Sequence, residues 1–338
     1  MKTTKGEHGL YPTHAMEYIR VVLTDLREAE KAEAAEVLRK AGFAVSEICY
    51  SRPSCFDFAV GKNENVILLK VQTDVGSLSS RDALELETIS HSLSAGALLI
   101  SERGRDKPLE DDTVYSRHKI PAITQETLEN FALHNTSPLM QANPGGCYVE
   151  IDGDTIKRRR QELGLSTGKL AQIVGVSYRT LYGYERGMAK ASVQTAYNLI
   201  WALGTPVAKP INMFEKSKSG SKCQLLAKAK RIIERNRLFY RIFKRLSHCN
   251  ITTVSKAPFD FVLDIPSGEK RIIGGLATNE ERGLDRRVQE ILSISEIVHA
   301  HPILLTQGQE PANRSISCLQ CDEIAKVSSP EDLISSVV

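Results

Sequence analysis

A short stretch near the middle of the chain carries side chains that suit contact with double-stranded DNA. Tyr178, Arg179, Tyr182 and Gly183 recur at the spacing of one outward helix face. An arginine in the major groove can donate paired hydrogen bonds to guanine, and a tyrosine can reach a phosphate or pack on a thymine methyl group. We predict that Tyr178, Arg179 and the backbone at Gly183 read bases. Three residues are predicted to contact phosphates: Thr167, Tyr182 and Arg186.

These side chains need two short helices joined by a tight turn, which we place at Thr167 to Arg186. Ser166 is a good N-cap for the first helix, and Ser177 is one for the second. Gly175 ends the first helix, because glycine adopts positive φ without steric cost. The inward face of the pair is predicted to be apolar, with Leu170, Ala171, Val174, Leu181 and Tyr184. Such a pair lays its second helix in the major groove.

Helical spacing continues on both sides of this motif. Upstream, a basic helix with an apolar seam is predicted from Ile156, Lys157, Arg158, Arg159, Arg160 and Leu163. Downstream, a helix is predicted to run to Gly204 with the periodic residues Val193, Ala196, Leu199, Ile200 and Leu203. The alternative is a five-helix bundle that binds protein.

The segment 154–206 resembles the lambda-repressor/Cro type of helix-turn-helix domain. The resemblance rests on Ile156, Arg159, Gln161-Glu162-Leu163-Gly164-Leu165-Ser166, Leu170-Ala171, Gly175-Val176-Ser177 and Tyr184-Glu185-Arg186-Gly187. It implies a five-helix DNA-binding domain that works as a dimer, with Glu185 serving the structure of the domain. Thr167 stands where that family commonly has glutamine, which implies a weaker phosphate contact.

Composition sets broad limits on the class of protein. The 338 residues suffice for two or three domains, and a net charge of +3 means that DNA affinity must come from local clusters. No apolar run reaches the roughly 18 residues of a membrane span, so a cytoplasmic protein is expected. The seven scattered cysteines indicate reduced thiols, and the isolated pair Cys318 and Cys321 cannot supply four zinc ligands. No metal or cofactor is expected.

The two flanks of the motif resemble each other. Phe56-Asp57-Phe58 recurs as Phe259-Asp260-Phe261, and each triplet precedes an apolar strand, an amphipathic helix and a buried strand in the same order. A helix is predicted to open each copy, at 16–41 and 225–243, and another to close it, at 123–128 and 327–333. We predict two α/β domains of like fold with the DNA-binding domain between them.

The order helix, strand, strand, strand, helix, strand resembles the restriction-endonuclease-like fold. In that family an aspartate and an acidic-x-lysine pair hold a metal ion that activates water. Asp57 and Lys70 stand at two of these positions, but Leu68 replaces the second acid. In the second copy Asp260 remains, whereas Ile272 and Gly274 replace the other two residues. Since one carboxylate cannot fix a catalytic divalent ion, both copies are predicted to be inactive, with Asp57 and Asp260 bonded within the fold.

We therefore divide the chain into a flexible N-terminus (1–14), an α/β domain (15–134), a linker (135–153), the helix-turn-helix domain (154–214), a second linker (215–222) and a second α/β domain (223–338). The stretch 222–245 is rich in lysine and arginine, and either neutralises phosphates beside the site or forms a solvated helix face.

The whole layout resembles a family of archaeal proteins described as helix-turn-helix transcriptional regulators. The resemblance implies sequence-specific control of transcription. Because most such motifs bind as dimers and both α/β copies lack the acid, we expect a non-enzymatic homodimer on double-stranded DNA. The α/β domains are expected to hold the dimer together or to contact DNA or an effector. It specifies neither operator nor small-molecule effector. Two alternatives remain: a metal-dependent DNA nuclease, and an antitoxin-like scaffold that binds protein.

Overall fold

The computed structural model describes residues 13–105, 107–213, 250–265, 270–277, 281–306, 308 and 310–320. Several predicted features lie outside the described residues: the N-terminal residues 1–12, the second linker at 215–222, the basic stretch at 222–245 and the closing helix at 327–333. Residues 13 and 14 were predicted to be part of the flexible N-terminus, but the first helix already begins at Thr13.

The first α/β domain has the predicted order of elements. Its helices are α1 (Thr13–Lys40), α2 (Ser80–Ser92) and α3 (Gln125–His134), and a 3-10 turn covers Val75–Ser77. Its strands are β1 (Ala44–Val45), β2 (Phe58–Lys62), β3 (Asn65–Val71), β4 (Gly96–Ile100), the hairpin β5 (Arg103–Gly104) and β6 (Lys107–Pro108), β7 (Thr113–Arg117) and β8 (Ile120–Ile123). Strand β3 is buried along almost its whole length, as expected for a strand covered on both faces.

The second α/β domain repeats this topology. It contains β12 (Asn250–Thr253), β13 (Phe261–Ile265), β14 (Lys270–Ala277), α8 (Leu284–Ile297), β15 (His301–Thr306) and β16 (Ser317–Gln320). Its sheet order β12-β13-β14-β15-β16 pairs antiparallel, antiparallel, parallel and parallel, as β1-β2-β3-β4-β8 does in the first domain. The predicted duplication of the α/β fold is therefore confirmed for the described elements.

The two α/β domains pack against each other and share one hydrophobic core. The rings of Phe56 and Phe259, one from each repeated triplet, lie 6.3 Å apart and are fully buried. Helix α2 contacts β12 and β13, while α8 contacts β2. In addition, the Arg271 guanidinium donates to the carbonyl of Leu93 at 2.9 Å. The helix-turn-helix domain is therefore between the copies in sequence, whereas in space the copies are direct neighbours.

The prediction of a linker at 135–153 is corrected, because this segment contains a β-hairpin. Strand β9 (Met140–Asn143) pairs parallel to β7, and β10 (Gly146–Val149) pairs antiparallel to β9. Gly145 in the turn and Gly146 at the start of β10 have φ values of 108° and 137°, which favour glycine. Strand β10 then pairs with β11 (Ala191–Ser192), so one nine-stranded sheet continues from the first α/β domain into the helical domain.

The helical domain has four helices, where five were predicted: α4 (Gly153–Glu162), α5 (Thr167–Val174), α6 (Tyr178–Glu185) and α7 (Val193–Leu203). Helix α7 ends at Gly204, as predicted, with φ at 62°. The chain beyond it holds Pro206 and Pro210, which disfavour a further helix. That segment returns to the first domain, where Met213 lies in the core between the sheet, α1 and α3.

Candidate DNA-binding surface

The helix-turn-helix is built by local caps at the predicted residues. The Ser166 hydroxyl accepts a hydrogen bond from the Lys169 N–H at 3.1 Å, and the Ser177 hydroxyl accepts one from the Thr180 N–H at 3.0 Å. Gly175 has φ at 81° and ends α5. The five predicted inward side chains are all buried: Leu170, Ala171, Val174, Leu181 and Tyr184. The local geometry of the motif therefore follows from the sequence.

Helix α6 presents a stacked row of side chains to solvent. Tyr178 is 60% exposed, and its ring stacks on that of Tyr182 with 6.4 Å between centroids and 14° between planes. The Arg186 guanidinium lies 4.8 Å from the centre of the Tyr182 ring. Arg179 is exposed on the same helix. Stacking limits the rotamers of these side chains, so less conformational entropy would be lost when they contact a ligand.

Two further predicted site residues have accessible positions. An added Cβ at Gly183 would meet no heavy atom within 4 Å, so the fold leaves open space there. Thr167 is half-buried at the first position of α5, where the first backbone N–H groups have no partner within the helix. The structure thus places Tyr178, Arg179 and Tyr182 on one helix, with Arg186 following it. Their contacts with bases and phosphates stay predictions.

One arginine of the predicted basic helix is internal. The Nε and Nη2 of Arg160 donate to both carboxylate oxygens of Glu185 at 2.5 and 3.0 Å, and its Nη1 donates to the Leu165 carbonyl at 2.9 Å. The hydrogen bonds that the guanidinium donates to Glu185 are the main reason that the pKa of Arg160 is raised. The predicted basic helix is therefore corrected at two positions, because Arg160 is buried and Leu163, expected in its apolar seam, is exposed.

Sequence reasoning missed a glycine that lets α4 approach α6. A Cβ at Gly153 would lie 2.4 Å from the carbonyl oxygen of Tyr184 and 2.6 Å from that of Glu185. Only glycine fits this close backbone contact. A glycine next to the N-cap Asp152 was the available signal, but the partner backbone is distant in sequence.

The first endonuclease-like position is filled by internal contacts. The Asp57 Oδ2 accepts a hydrogen bond from the Val71 N–H at 2.8 Å. Its Oδ1 lies 2.9 Å from the Lys31 ammonium and 3.2 Å from that of Lys70. Leu68, at the position of the missing acid, is fully buried. Asp57 is therefore bonded within the fold, as predicted, but Lys31 on α1 was not foreseen as its partner.

The second copy holds its aspartate in the same way. The Asp260 Oδ2 accepts a hydrogen bond from the Leu276 N–H at 2.7 Å and forms an ion pair with Arg287. The Arg52 guanidinium, from the first domain, lies 2.8 Å from Oδ1. A Cβ at Gly274 would lie 1.9 Å from the Phe261 ring, which excludes a lysine there without rearrangement. Cationic side chains therefore neutralise both aspartates.

The possible metal ligands and the two buried thiols of the described residues bear on the alternative chemistries. Within the described ranges, no group of three or more histidine, cysteine, aspartate or glutamate residues is arranged to hold a metal ion. Desolvation raises the pKa values of the buried Cys49 and Cys55 thiols, so both are weak nucleophiles. Cys321 of the predicted CxxC pair lies outside the described residues. No helix in the described part of the chain has the length and apolarity needed to cross a membrane.

Comparisons with known proteins identify the same two folds. A family profile described as a PD-(D/E)XK superfamily domain matches residues 27–138, and one described as helix-turn-helix matches 156–209. PD-(D/E)XK names the restriction-endonuclease-like fold, so the fold predicted for the first domain is confirmed. A chain of the SinR protein/SinI protein complex covers 28% of this chain at 23% identity with a TM-score of 0.16, too little to bear on the fold.

Curated relatives match much of the chain. A protein of Methanocaldococcus jannaschii, named "Putative HTH-type transcriptional regulatory protein", is 30% identical over 92% of this chain and 96% of its own length. Proteins with the same name in Methanococcoides burtonii and Methanosarcina barkeri are 30% and 39% identical. These two matches cover 88% and 53% of this chain, and 92% and 55% of the relatives.

Proposed function

The chain belongs to the archaeal family of HTH-type transcriptional regulatory proteins, and from this premise we propose that it controls transcription by binding a specific DNA sequence as a homodimer. The observation that carries the proposal is the exposed row on α6, where Tyr178, Tyr182 and Arg186 are stacked beside Arg179. A rigid helix face with an arginine and flat rings suits base edges and phosphates in a major groove.

Each candidate residue has a role in this proposal. Arg179 and Tyr178 read base edges, and the open space at Gly183 lets the helix backbone approach the bases closely. Tyr182 and Arg186 contact phosphates on one side of the groove, and Thr167 contacts them at the start of α5. The Arg160–Glu185 ion pair joins α4 to the end of α6, and so helps to hold α6, the reading helix, in place within the domain.

The two α/β domains support this function without cleaving DNA. A two-carboxylate metal site would need an acid at Leu68, which is buried among apolar side chains. The remaining aspartates already have cationic partners, which compete with any divalent ion for the carboxylate oxygens. The domains act as a rigid frame, because the nine-stranded sheet and Met213 attach the helical domain to the first of them.

Selection of bound duplexes from a random DNA pool, followed by footprinting, tests the proposal. The expected result is one enriched motif with two half-sites roughly 34 Å apart on one face of the duplex. Recovery of unrelated sequences with no enriched motif would contradict it.

Incubation with Mg²⁺ or Mn²⁺ and branched or plasmid DNA tests whether the α/β domains cleave DNA. Cleavage that disappears in Asp57→Ala would show that the chain is a nuclease instead.

A further inference from the structure

Helix α7 is apolar on both of its sides. Its inner face packs Ala196, Leu199 and Leu203 into the core of the helical domain. Its outer face carries four large apolar side chains at helical spacing. Their exposed fractions are 40% for Val193, 63% for Tyr197, 37% for Ile200 and 76% for Trp201. A cluster of this kind on a small helical domain marks an interaction surface.

The chemistry of the outer face points to its occupant. Residues 193–203 include no aspartate, glutamate, lysine, arginine or histidine, so this helix offers phosphates no positive charge. A two-fold contact places the same surface on both sides, so any charge at its centre would meet its own copy. A face without charges is therefore complementary to itself. The basic stretch at 222–245 is a poorer candidate for the occupant, because it would form no ion pair with this face.

We propose that the outer face of α7 is the contact between two copies of this chain. This inference rests on the proposed function, and it replaces our prediction that the α/β domains hold the dimer together. Helices α2 and α8 are already used within one chain, because each packs on the sheet of the other α/β domain. Helix α7 is the next helix after α6 in the chain, so a contact between two α7 helices joins the two α6 helices through a short connection.

The size of the face predicts a weak dimer. Standard stable interfaces bury roughly 800 Å² on each partner and use about 20 or more residues of each. One face of an eleven-residue helix supplies fewer contacts than that. The free protein therefore exists as monomer and dimer in a concentration-dependent equilibrium, and DNA with two half-sites favours the dimer because it holds two chains together.

The sequence supplies a reporter for this contact, since Trp201 is the only tryptophan among the 338 residues. Sedimentation velocity and tryptophan fluorescence of the full chain over a concentration series measure association and burial together. We expect the mass to rise from one chain to two while the emission moves to shorter wavelength and acrylamide quenches it less. A chain that stays monomeric overturns the proposal. If its Trp201 is also shielded at every concentration, another segment of the same chain covers the face.

Tyr197→Glu places two negative charges opposite each other in the dimer and keeps the tryptophan reporter. We expect it to raise the dimer dissociation constant more than about tenfold, as the loss of a central aromatic residue does at other interfaces. The control is Leu133→Glu, which adds the same charge at an exposed leucine on α3 in the first domain. Equal dimerisation of the two variants would place the dimer contact elsewhere.

A duplex with a single half-site separates this inference from the proposed function. Because one domain suffices to bind one half-site, Tyr197→Glu should bind this duplex as tightly as the unaltered chain does. It should lose affinity only for the duplex with two half-sites. If the unaltered chain binds the single half-site but never dimerises, DNA reading stands and the α7 contact is wrong. If neither duplex is bound, the proposed function itself fails.

Discussion

Glu85 on α2 and Glu290 on α8 make equivalent contacts in opposite directions across the boundary between the two α/β domains. The Glu85 carboxylate accepts hydrogen bonds from the N–H and hydroxyl of Ser255 at 2.5 and 2.8 Å. The Glu290 carboxylate accepts them from the N–H and hydroxyl of Ser51 at 2.9 and 2.5 Å. A glutamate of each domain thus accepts hydrogen bonds from the loop that precedes the Phe-Asp-Phe triplet of the other domain. Two subunits of a symmetric dimer would contact each other in this way, but here one chain supplies both.

Glu290→Ala should destabilise the pair of α/β domains. It leaves the backbone N–H groups of Tyr50 and Ser51 without their acceptor, at a cost of about 2 kcal/mol in the free energy of unfolding. Urea unfolding followed by circular dichroism measures the change. Glu296→Ala, at an exposed position of the same helix, is the control and should change little. Equal midpoints for the two variants would show that the boundary contact contributes nothing.

Arg160→Met should unfold the helix-turn-helix domain more easily and weaken DNA binding. It leaves the Glu185 carboxylate almost buried without its cation, which costs about 3 kcal/mol. Hydrogen exchange of α4 and α6 measures the local stability. Lys157→Met removes an exposed charge from the same helix, so it should leave exchange unchanged. If both variants exchange alike, the ion pair does not hold the two helices together.

Arg179→Ala and Arg186→Ala should weaken DNA binding in different ways. Loss of a paired contact to guanine costs about 1–3 kcal/mol at one base pair, so Arg179→Ala should relax preference at that position only. Arg186→Ala removes a phosphate contact, so it should weaken binding to all sequences alike. It should also reduce the slope of log affinity against log salt concentration by about one. Titrations on single-base variants of the selected site at several salt concentrations distinguish these effects. A uniform loss in Arg179→Ala would reassign that residue to phosphate.

Asp57→Asn should lower the stability of the protein, and Mg²⁺ should not change the thermal midpoint with or without the substitution. It leaves the ammonium groups of Lys31 and Lys70 close together without a carboxylate, at a cost of about 3 kcal/mol. Asp264→Asn, at an exposed position of β13, is the control and should be neutral. Thermal unfolding with Mg²⁺ or with a chelator should give the same midpoint for the unaltered chain. A midpoint that Mg²⁺ raises in the unaltered chain but not in Asp57→Asn would indicate a metal ligand.

The cap at Asp152 should make stability depend on acidic pH. Its pKa is lowered, chiefly because the Thr155 hydroxyl donates to the carboxylate at 2.8 Å, with the Thr155 N–H adding a second hydrogen bond. A carboxylate whose pKa is lower in the folded state stabilises the fold above its unfolded pKa of about 3.9. That contribution is lost as the pH falls through the folded value.

Asp152→Ala should therefore cost about 1 kcal/mol near neutral pH, and the difference should shrink below about pH 4. Asp152→Ser keeps a capping oxygen that does not titrate, so it should retain most of the stability and lose this part of the pH dependence. Urea midpoints of the three proteins between neutral and acidic pH measure the effect. A constant difference at every pH would mean that the carboxylate charge plays no part in the cap.

Local sequence determined the elements and several of their ends. Ser166, Gly175 and Ser177 could be assigned because a cap acts within a few residues of itself, and the same reasoning holds for Gly204. Where it failed, the deciding contact was not local. The predicted linker at 135–153 is a hairpin because its strands find partners in β7 and β11. Arg160 is internal because it pairs with Glu185, which is distant from it in sequence.

The sequence by itself also determined that the α/β fold occurs twice and that the second copy lacks the acid and lysine of a nuclease. Only the tertiary structure decided which side chains bind the aspartates that remain in the two copies. Lys31 and Arg287 reach the two aspartates from helices distant in sequence, and Arg52 crosses from one domain to the other. It also decided that the copies pack on each other and that the outer face of α7 is exposed. The physical reason is that hydrophobic spacing shows which side of a helix is buried, but not which surface buries it.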